Sequence, residues 1–236
     1  MELSRSDFLV GRVAKEKMRK GILKLKVVIL FLGLYCVAHA SVVYLRTFTF
    51  NDERTFNDWK KMILNGEVEY RLIKHGKEGY IYALSKKACS ALYYRVKYKL
   101  KDYPTLTWNW RALQFPDLSK AKTPRERDDY AARVYVIFPF LSFSSSRFLE
   151  YVWAENIPAG TIMDSPLASN TKIIVARSGK MNKQGWATET RSVYKDYTKA
   201  FGKEPNKAVG AIAIMCDADS TKTLASSLFG DIVVRN

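Results

Sequence analysis

The chain has 236 residues, of which 47% are hydrophobic and 13% aromatic, so it carries enough apolar material for a folded core. Its formal net charge is +16, and it contains neither low-complexity segments nor internal repeats, which excludes a disordered chain or a solenoid. The charge favours anionic partners such as acidic glycans, lipid headgroups or nucleic acid, although a basic surface that is merely solvated has the same composition.

The first segment, residues 1–40, has the pattern of a secretory signal peptide. A cluster of Lys and Arg residues precedes the uncharged apolar run Val27–Ala38, and a small-x-small cleavage pattern ends at Ala40. The run is shorter than the roughly 20 residues that a membrane span needs. A start at Met18 would give the segment an ordinary length. We therefore predict export to the periplasm or beyond, with membrane contact only if this segment stays uncleaved.

Residues 41–236 are predicted to form a single domain made of short strands. In chain order the predicted strands cover residues 41–50, 67–74, 80–84, 91–100, 105–113, 131–138, 148–153, 172–176, 186–193, 209–215 and 229–234. A short helix or turn is predicted within 51–64, and a helix within 194–201 that ends at Gly202. This order indicates an all-β fold, an antiparallel β-sandwich of jelly-roll type with one or two short helices, rather than an alternating β/α fold.

Two adjacent carboxylates, Asp128 and Asp129, precede the most apolar strand. Both faces of residues 131–138 are apolar, which is typical of a strand at the centre of a layered sheet. Neighbouring side chains on a strand point to opposite faces, so these two acids cannot form one catalytic pair. We expect one of them to face a ligand site at the rim, and the other to anchor a loop or to pair with Arg127 or Arg133.

A second acidic group follows the buried strand 209–215. Asp217 and Asp219 alternate there, and Asp231 opens the last strand. Alternate carboxylates with a nearby hydroxyl suit Ca²⁺, so these three residues are the candidate metal ligands. An Asx-turn without any metal is the alternative.

Glu189 and Arg191 lie on one face of a predicted strand, because side chains two residues apart share a face. They are candidate ligand-binding residues, with a structural ion pair as the alternative. A glycosidase needs two carboxyls a few ångströms apart, and Glu189 with Asp128 or Asp217 would supply them. These three acids are therefore the candidate catalytic residues.

The tryptophans divide by position. Trp108 and Trp110 share a strand face with Leu106 and are predicted to lie in the core. Trp153 and Trp186 lie near loops, where we expect exposed rings that stack on a sugar.

Several chemistries lack their motifs. The chain contains no G-x-S-x-G, P-loop or dinucleotide fingerprint, and beyond residue 40 its one histidine is His75, which disfavours Ser–His catalysis and a zinc cluster. Two cysteines, Cys89 and Cys216, also remain beyond residue 40. An oxidising compartment would allow a disulfide between them, and two buried free thiols are the open alternative.

A set of motifs in one order resembles a known family. These motifs are Trp108-Asn-Trp110-Arg111, the central run 128–138, Tyr151–Trp153, Glu189–Pro205, Ala211–Thr221 and Gly230–Ile232. Over most of residues 45–235 the chain resembles secreted bacterial proteins catalogued as domain of unknown function number 3047. That family has no established activity, so the resemblance does not indicate one for this chain. The chain departs from the family pattern at Ser192, where the family usually has asparagine. The strand pattern is also similar to galactose-binding-like jelly rolls, which occur in many carbohydrate-binding modules.

These observations lead to one expected function and two alternatives. We expect an exported, non-catalytic protein that binds carbohydrate or another cell-envelope polymer, with the basic charge favouring an acidic one. A glycan-active enzyme built on the candidate carboxylates and a structural envelope protein are the alternatives. Nucleic acid is not an expected partner, because export removes the chain from it.

Overall fold

In the computed structural model, residues 43–142, 145–180 and 185–236 are described. The predicted signal peptide and its cleavage site lie outside these residues and stay a prediction. Within the described ranges, neither α-helix has the length and the apolar character that crossing a membrane requires.

The described residues form thirteen strands and two short α-helices. The strands are β1 (Tyr44–Phe48), β2 (Lys60–Asn65), β3 (Glu69–His75), β4 (Glu78–Lys86), β5 (Cys89–Tyr98), β6 (Thr105–Gln114), β7 (Ala132–Phe138), β8 (Arg147–Ala154), β9 (Ile162–Asp164), β10 (Thr171–Ser178), β11 (Ala187–Ser192), β12 (Val209–Asp217) and β13 (Leu224–Arg235). The helices are α1 (Glu53–Asn57) and α2 (Val193–Phe201), and α2 ends at Gly202 in the left-handed conformation, as its sequence predicts.

These strands build two sheets. Sheet A has the order β11-β6-β13-β4-β3, with β1 also beside β13, and sheet B has the order β2-β5-β12-β7-β8-β10-β9. All pairs are antiparallel except β8 with β10, which are parallel because the connection between them crosses over and leaves β9 on the outside. The all-β sandwich is confirmed, and this one parallel pair makes sheet B mixed.

Two strands were missed by sequence. Residues 60–65 were expected to continue a helix or turn because Phe56, Trp59 and Ile63 have helical spacing, yet they form the edge strand β2. Trp59 is buried in the core, whereas Ile63 is 58% exposed. The helical spacing was therefore coincidental. The short strand β9 lies in a stretch whose Pro, Gly and Ser content predicts a loop.

One large core fills the space between the sheets. Trp108 and Trp110 on β6 are fully buried, as predicted. Across the core, the Trp108 ring lies 5.0 Å from Tyr151 and the Trp110 ring lies 5.6 Å from Trp153, measured between centroids. The aromatic residues of β6 and β8 thus join the two sheets.

Cys89 and Cys216 are separate buried thiols. In the antiparallel register of β5 and β12, Cys89 lies opposite Asp217 and Cys216 lies opposite Ser90. Because side chains alternate along a strand, the two sulfurs point to opposite faces of sheet B, and a disulfide between them would require a change of register. The alternative of two free thiols is the one that the fold supports.

Candidate functional site

The outer face of sheet A carries aromatic and polar side chains together. Strand alternation sends the tryptophans of β6 inward and leaves the intervening residues outward. The outward side chains that matter here are Tyr80 and Tyr82 of β4, Asn109 and Arg111 of β6, Thr188 and Thr190 of β11, and Asp231 of β13. This face is therefore a half-exposed sheet surface that combines flat rings with hydrogen-bonding groups.

Trp186 lies across this face at the start of β11. Its side chain is 39% exposed, and its ring meets the Tyr80 ring edge-on at a centroid distance of 5.5 Å. A Cβ at Gly230 would lie 3.3 Å from Cζ3 of Trp186 and 3.2 Å from Cβ of Asn109. Because position 230 is glycine, the indole can pack closely against the sheet at the point where β13 is irregular, between Phe229 and Ile232.

Polar groups lie on the same face of sheet A as the two rings. The Thr188 hydroxyl donates to Oδ1 of Asn109 at 2.7 Å. The Arg71 guanidinium lies 4.9 Å from the Tyr82 ring centroid. Burial raises the pKa of Asp231, and the nearby charge of Glu78 adds to the effect. Apolar ring faces flanked by hydroxyl, amide and carboxyl groups match the C–H faces and hydroxyl groups of a sugar.

Asp128 and Asp217 lie elsewhere, in a buried charged cluster on the other face of sheet B. Arg133 donates from Nε to Oδ1 of Asp217 at 2.8 Å and from Nη1 to Oε1 of Glu150 at 2.6 Å, and its Nη1 lies 3.4 Å from Oδ1 of Asp128. The side chains of all four residues are only 2% exposed. The Tyr130 ring covers the guanidinium at 4.7 Å.

Asp129 anchors a loop, which the sequence predicts as one alternative for one of the two adjacent acids. It accepts hydrogen bonds from the backbone N–H groups of Ser220 and Thr221, and from the Thr221 hydroxyl at 2.6 Å. Asp128 pairs with Arg133, which is the alternative that the sequence offered for that same acid, and a ligand-site role for either acid stays a prediction. Asp129 also lines a pocket of about 410 Å³ at the rim of the sandwich, together with Arg127.

A known protein family matches most of the described residues. The family described as "Protein of unknown function (DUF3047)" matches residues 57–233. This chain belongs to that family. The matched range includes the Asp128–Phe138 run, the charged cluster and the Trp186 face. None of the curated proteins matches this DUF3047 chain significantly.

Several solved structures have a similar chain path at low identity. The family 30 carbohydrate-binding module of a cellulosomal cellulase from Clostridium thermocellum is 8% identical, over 75% of this chain and 90% of that one, with a TM-score of 0.42. Endoglucanase cel12A from Rhodothermus marinus is 9% identical over 75% and 97%, with a TM-score of 0.43. The xylan-binding module CBM86 from Roseburia intestinalis is 10% identical over 80% and 92%, with a TM-score of 0.35. At such low sequence identities and TM-scores, the functions of these proteins cannot be assigned to this chain.

Trp153 of the DUF3047 chain is fully buried, so its predicted exposure was wrong. Its Nε1 donates to the carbonyl oxygen of Gly179 at 2.9 Å, and its ring packs on Trp110. Proximity to loops in sequence indicated exposure, but Trp153 lies on the face of β8 that packs into the core between the sheets.

Glu189 and Arg191 share a strand face as predicted, but each has a different partner. Glu189 accepts from Nε of Arg177 at 2.6 Å and from Nε1 of Trp110 at 3.3 Å. Arg191 forms two hydrogen bonds with Asp196, at 2.9 and 2.7 Å. Glu189 does form a structural ion pair with an arginine, but its partner is Arg177 rather than Arg191.

The candidate catalytic acids do not converge. Glu189 belongs to the inner face of sheet A, whereas Asp128 and Asp217 lie on the outer face of sheet B, beneath Tyr130. Sheet B separates them, and Arg133 occupies the carboxylates of the second pair. This geometry gives no support to a two-carboxyl glycosidase mechanism at these residues.

The proposed calcium ligands are also not brought together. Asp217 and Asp219 approach Cys89, with ligand atoms all within 4.8 Å of one another, but Asp231 is not part of this group. Asp231 belongs to the outer face of sheet A instead. The Asp217 oxygens already bind the Arg133 cation, Asp219 accepts from Asn65 at 2.7 Å, and a thiol is a poor ligand for Ca²⁺. The donor set does not fit Ca²⁺.

Sequence reasoning missed Glu150, a buried acid whose pKa the fold raises. Burial raises the pKa of Glu150 from 4.5 to about 7, against the opposing effect of Arg133. A lone acid inside the apolar run Phe148–Trp153 was the available signal. Tyr80, Asn109 and Gly230 were also missed, because their convergence depends on strand pairing.

Glu150 should make stability depend on pH. Between its unfolded pKa of 4.5 and its folded pKa of about 7, the folded chain keeps a proton that the unfolded chain loses. The free energy of unfolding therefore falls as pH rises through this window, by roughly 2–3 kcal/mol from this group. We expect Glu150→Gln to remove that part of the fall in urea unfolding at pH 5 and pH 8. Glu69→Gln, at an exposed position on β3, is the control, and an unchanged slope in Glu150→Gln would contradict the assignment.

Proposed function

We propose that this DUF3047 protein is an exported, non-catalytic carbohydrate-binding protein that holds a glycan on the outer face of sheet A. The observation that carries the proposal is Trp186, which packs over Gly230 and edge-on against Tyr80 while remaining 39% exposed. An exposed indole held in place loses little conformational entropy when a pyranose stacks on it.

The surroundings support a glycan rather than an apolar ligand. Asn109, Thr188 and Asp231 present amide, hydroxyl and carboxyl groups beside the rings, and Arg111 adds a cation on the same face. Such groups can bind sugar hydroxyls, and the cation favours a glycan with acidic substituents. The face is open along the sheet, which suits a polymer chain better than a small enclosed molecule.

The non-catalytic part of the proposal is supported by the state of the acids. Asp128, Asp217 and Glu189 are each held in ion pairs and are nearly inaccessible. A glycan on the outer face of sheet A would not reach them.

The test is a glycan-array screen followed by titration of each hit. We expect Trp186→Ala to weaken binding about 10- to 100-fold, since the loss of one aromatic stack costs about 1.4–2.8 kcal/mol. Tyr93→Ala removes a ring from the outer face of sheet B and is the matched control, with unchanged affinity. Chelation of Ca²⁺ should change neither value.

Three results would count against parts of this proposal. Release of cleaved product from any bound glycan would favour an enzyme. Glycan binding that is equally strong in Trp186→Ala would remove this face as the site. A chain that binds no glycan at all would favour the structural envelope role.

A further inference from the structure

Three cations surround a pocket of about 450 Å³ on the sheet B side of the molecule. Arg95 and Lys97 come from β5, and Lys207 comes from the segment before β12. The remaining lining is apolar or backbone, with Val96, Pro139 and Gly210 among it. No acidic residue lines the pocket. Within residues 43–142, 145–180 and 185–236, none of the three cations has a carboxylate oxygen within 4.0 Å.

The pocket has a rigid wall. A Cβ at Gly210 would lie 2.6 Å from Cδ of Pro139, so glycine lets the proline ring rest on the backbone of β12. The pairing of β12 with β5 shifts register between Val209 and Ala211, which places an irregularity beside the cations. The Pro139 ring and the irregular pairing thus shape one wall of the pocket.

An apolar loop tip stands next to these cations. Phe140 is 50% exposed and Leu141 is 93% exposed. The Lys207 ammonium lies 4.6 Å from the Phe140 ring centroid, which joins the tip to the basic pocket. A soluble anion would need the cations but would gain nothing from Leu141. Exposed apolar side chains beside basic ones are typical of surfaces that bind at a membrane interface.

We propose that Arg95, Lys97, Lys207, Phe140 and Leu141 attach the protein to an anionic lipid membrane. The three cations bind lipid phosphate groups, and the two apolar side chains enter the headgroup region. Each basic residue near such a surface strengthens binding by about fivefold, and buried apolar surface adds to this. This lipid surface is separate from the glycan face, because it lies on sheet B while Trp186 lies on sheet A.

The lipid surface also differs from the membrane contact that the sequence predicts. The sequence places any membrane contact in the N-terminal segment, and the proposal adds a contact made by the folded sandwich. The experiment must therefore read the loop tip itself rather than attachment of the whole chain.

The experiment uses the full chain carrying Leu141→Trp. Vesicles of phosphatidylglycerol with phosphatidylcholine should shift the emission of the introduced tryptophan to the blue, and brominated lipid should quench it. The same protein with the original Leu141 gives the background from the other tryptophans. Vesicles of phosphatidylcholine alone should give at least a tenfold weaker response, and added salt should reduce the phosphatidylglycerol response.

Charge reversal decides whether the pocket is responsible. In the Leu141→Trp chain, Lys97→Glu with Lys207→Glu should weaken the vesicle response at least tenfold. Lys77→Glu with Lys86→Glu makes the same charge change on exposed residues at the ends of β4 and should leave the response nearly unchanged. The N-terminal segment is identical in all of these chains, so it cannot cause a difference between them.

Three results would overturn the proposal. The first is an introduced tryptophan whose emission does not respond to phosphatidylglycerol vesicles. The second is an equal loss in both charge-reversal pairs, which would indicate a general effect of net charge. The third is saturable binding of glucose 6-phosphate that depends on Lys97 and Lys207 without any vesicle response, which would make the pocket a site for soluble phosphate esters.

Discussion

Arg133→Met is expected to lower the free energy of unfolding by about 3–5 kcal/mol, or to prevent folding altogether. Arg133 is the one cation in contact with the buried carboxyls of Asp128, Glu150 and Asp217 among the described residues. Methionine keeps most of the volume but leaves these acids without a counterion in an apolar environment. They must then be protonated or hydrated, and either requirement opposes folding. Urea unfolding at pH 7 would measure the loss.

Second-site changes show whether charge is the cause. If it is, adding Glu150→Gln and Asp217→Asn to Arg133→Met should recover part of the lost stability, because fewer unpaired charges remain. Arg111→Met removes a partly exposed cation from sheet A and should change stability by less than about 1 kcal/mol. A loss in Arg133→Met that is no larger than the loss in Arg111→Met would contradict the central role of the cluster.

Gly79→Ala is expected to be the most damaging of the methyl additions considered at glycines within the described residues. A Cβ at Gly79 would overlap the carbonyl oxygen of Phe50 and lie 2.6 Å from its carbonyl carbon. These are backbone atoms of a buried residue, so they cannot swing aside as a flexible side chain would. Either the Phe50 segment or β4 must move, and we expect a loss of about 3 kcal/mol or more in the free energy of unfolding.

The same hairpin supplies the control. Gly76 lies in the turn between β3 and β4 with a φ of +64°, and a Cβ there would meet no atom within 4 Å. Gly76→Ala should therefore cost only the backbone strain of the left-handed region, about 1 kcal/mol. Thermal unfolding of the two variants side by side separates the effects. Similar melting temperatures for both would mean that β4 and the Phe50 segment have room to separate.

The two outer faces of the sandwich differ in chemistry, so each is proposed to bind a different kind of partner. Sheet A presents Trp186 and Tyr80 with hydroxyl and amide groups, which suits a neutral or acidic glycan. Sheet B presents the three cations of the pocket and an apolar loop tip, which suits an anionic membrane. A protein with both faces in use would hold a polymer close to a lipid surface. Trp186→Ala and the Lys97/Lys207 reversal would then affect separate binding activities.

The tryptophans show where sequence reasoning succeeds and where it fails. Trp108 and Trp110 alternate with polar residues along β6, so strand periodicity alone places them in the core. Trp153 and Trp186 both lie near loops in sequence, which indicated exposure for both. The fold places Trp153 on the core face of β8 with Tyr151, and Trp186 lies on the outer face of sheet A.

The acids show the same division. Asp128 and Asp129 were expected to take different roles, because neighbours on an extended chain face different ways, and they do. The partner of Asp128 is Arg133, five residues away, whereas Asp129 binds Thr221, more than 90 residues away. The second contact depends on where the fold places the loop between β12 and β13. The grouping of Asp217 with Asp231 failed because these residues belong to different sheets.

The sequence by itself determined the β-sandwich class, the buried face of most strands and the family, because alternation of apolar and polar residues is a local property that each strand carries alone. Only the tertiary structure decided which side chains meet. Trp186 reaches Gly230 and Tyr80 through the pairing of β11, β6, β13 and β4, and Lys207 comes to line the same pocket as Arg95 through the pairing of β12 with β5. Both candidate binding surfaces therefore exist only once strand order and register are set, and no local pattern specifies those.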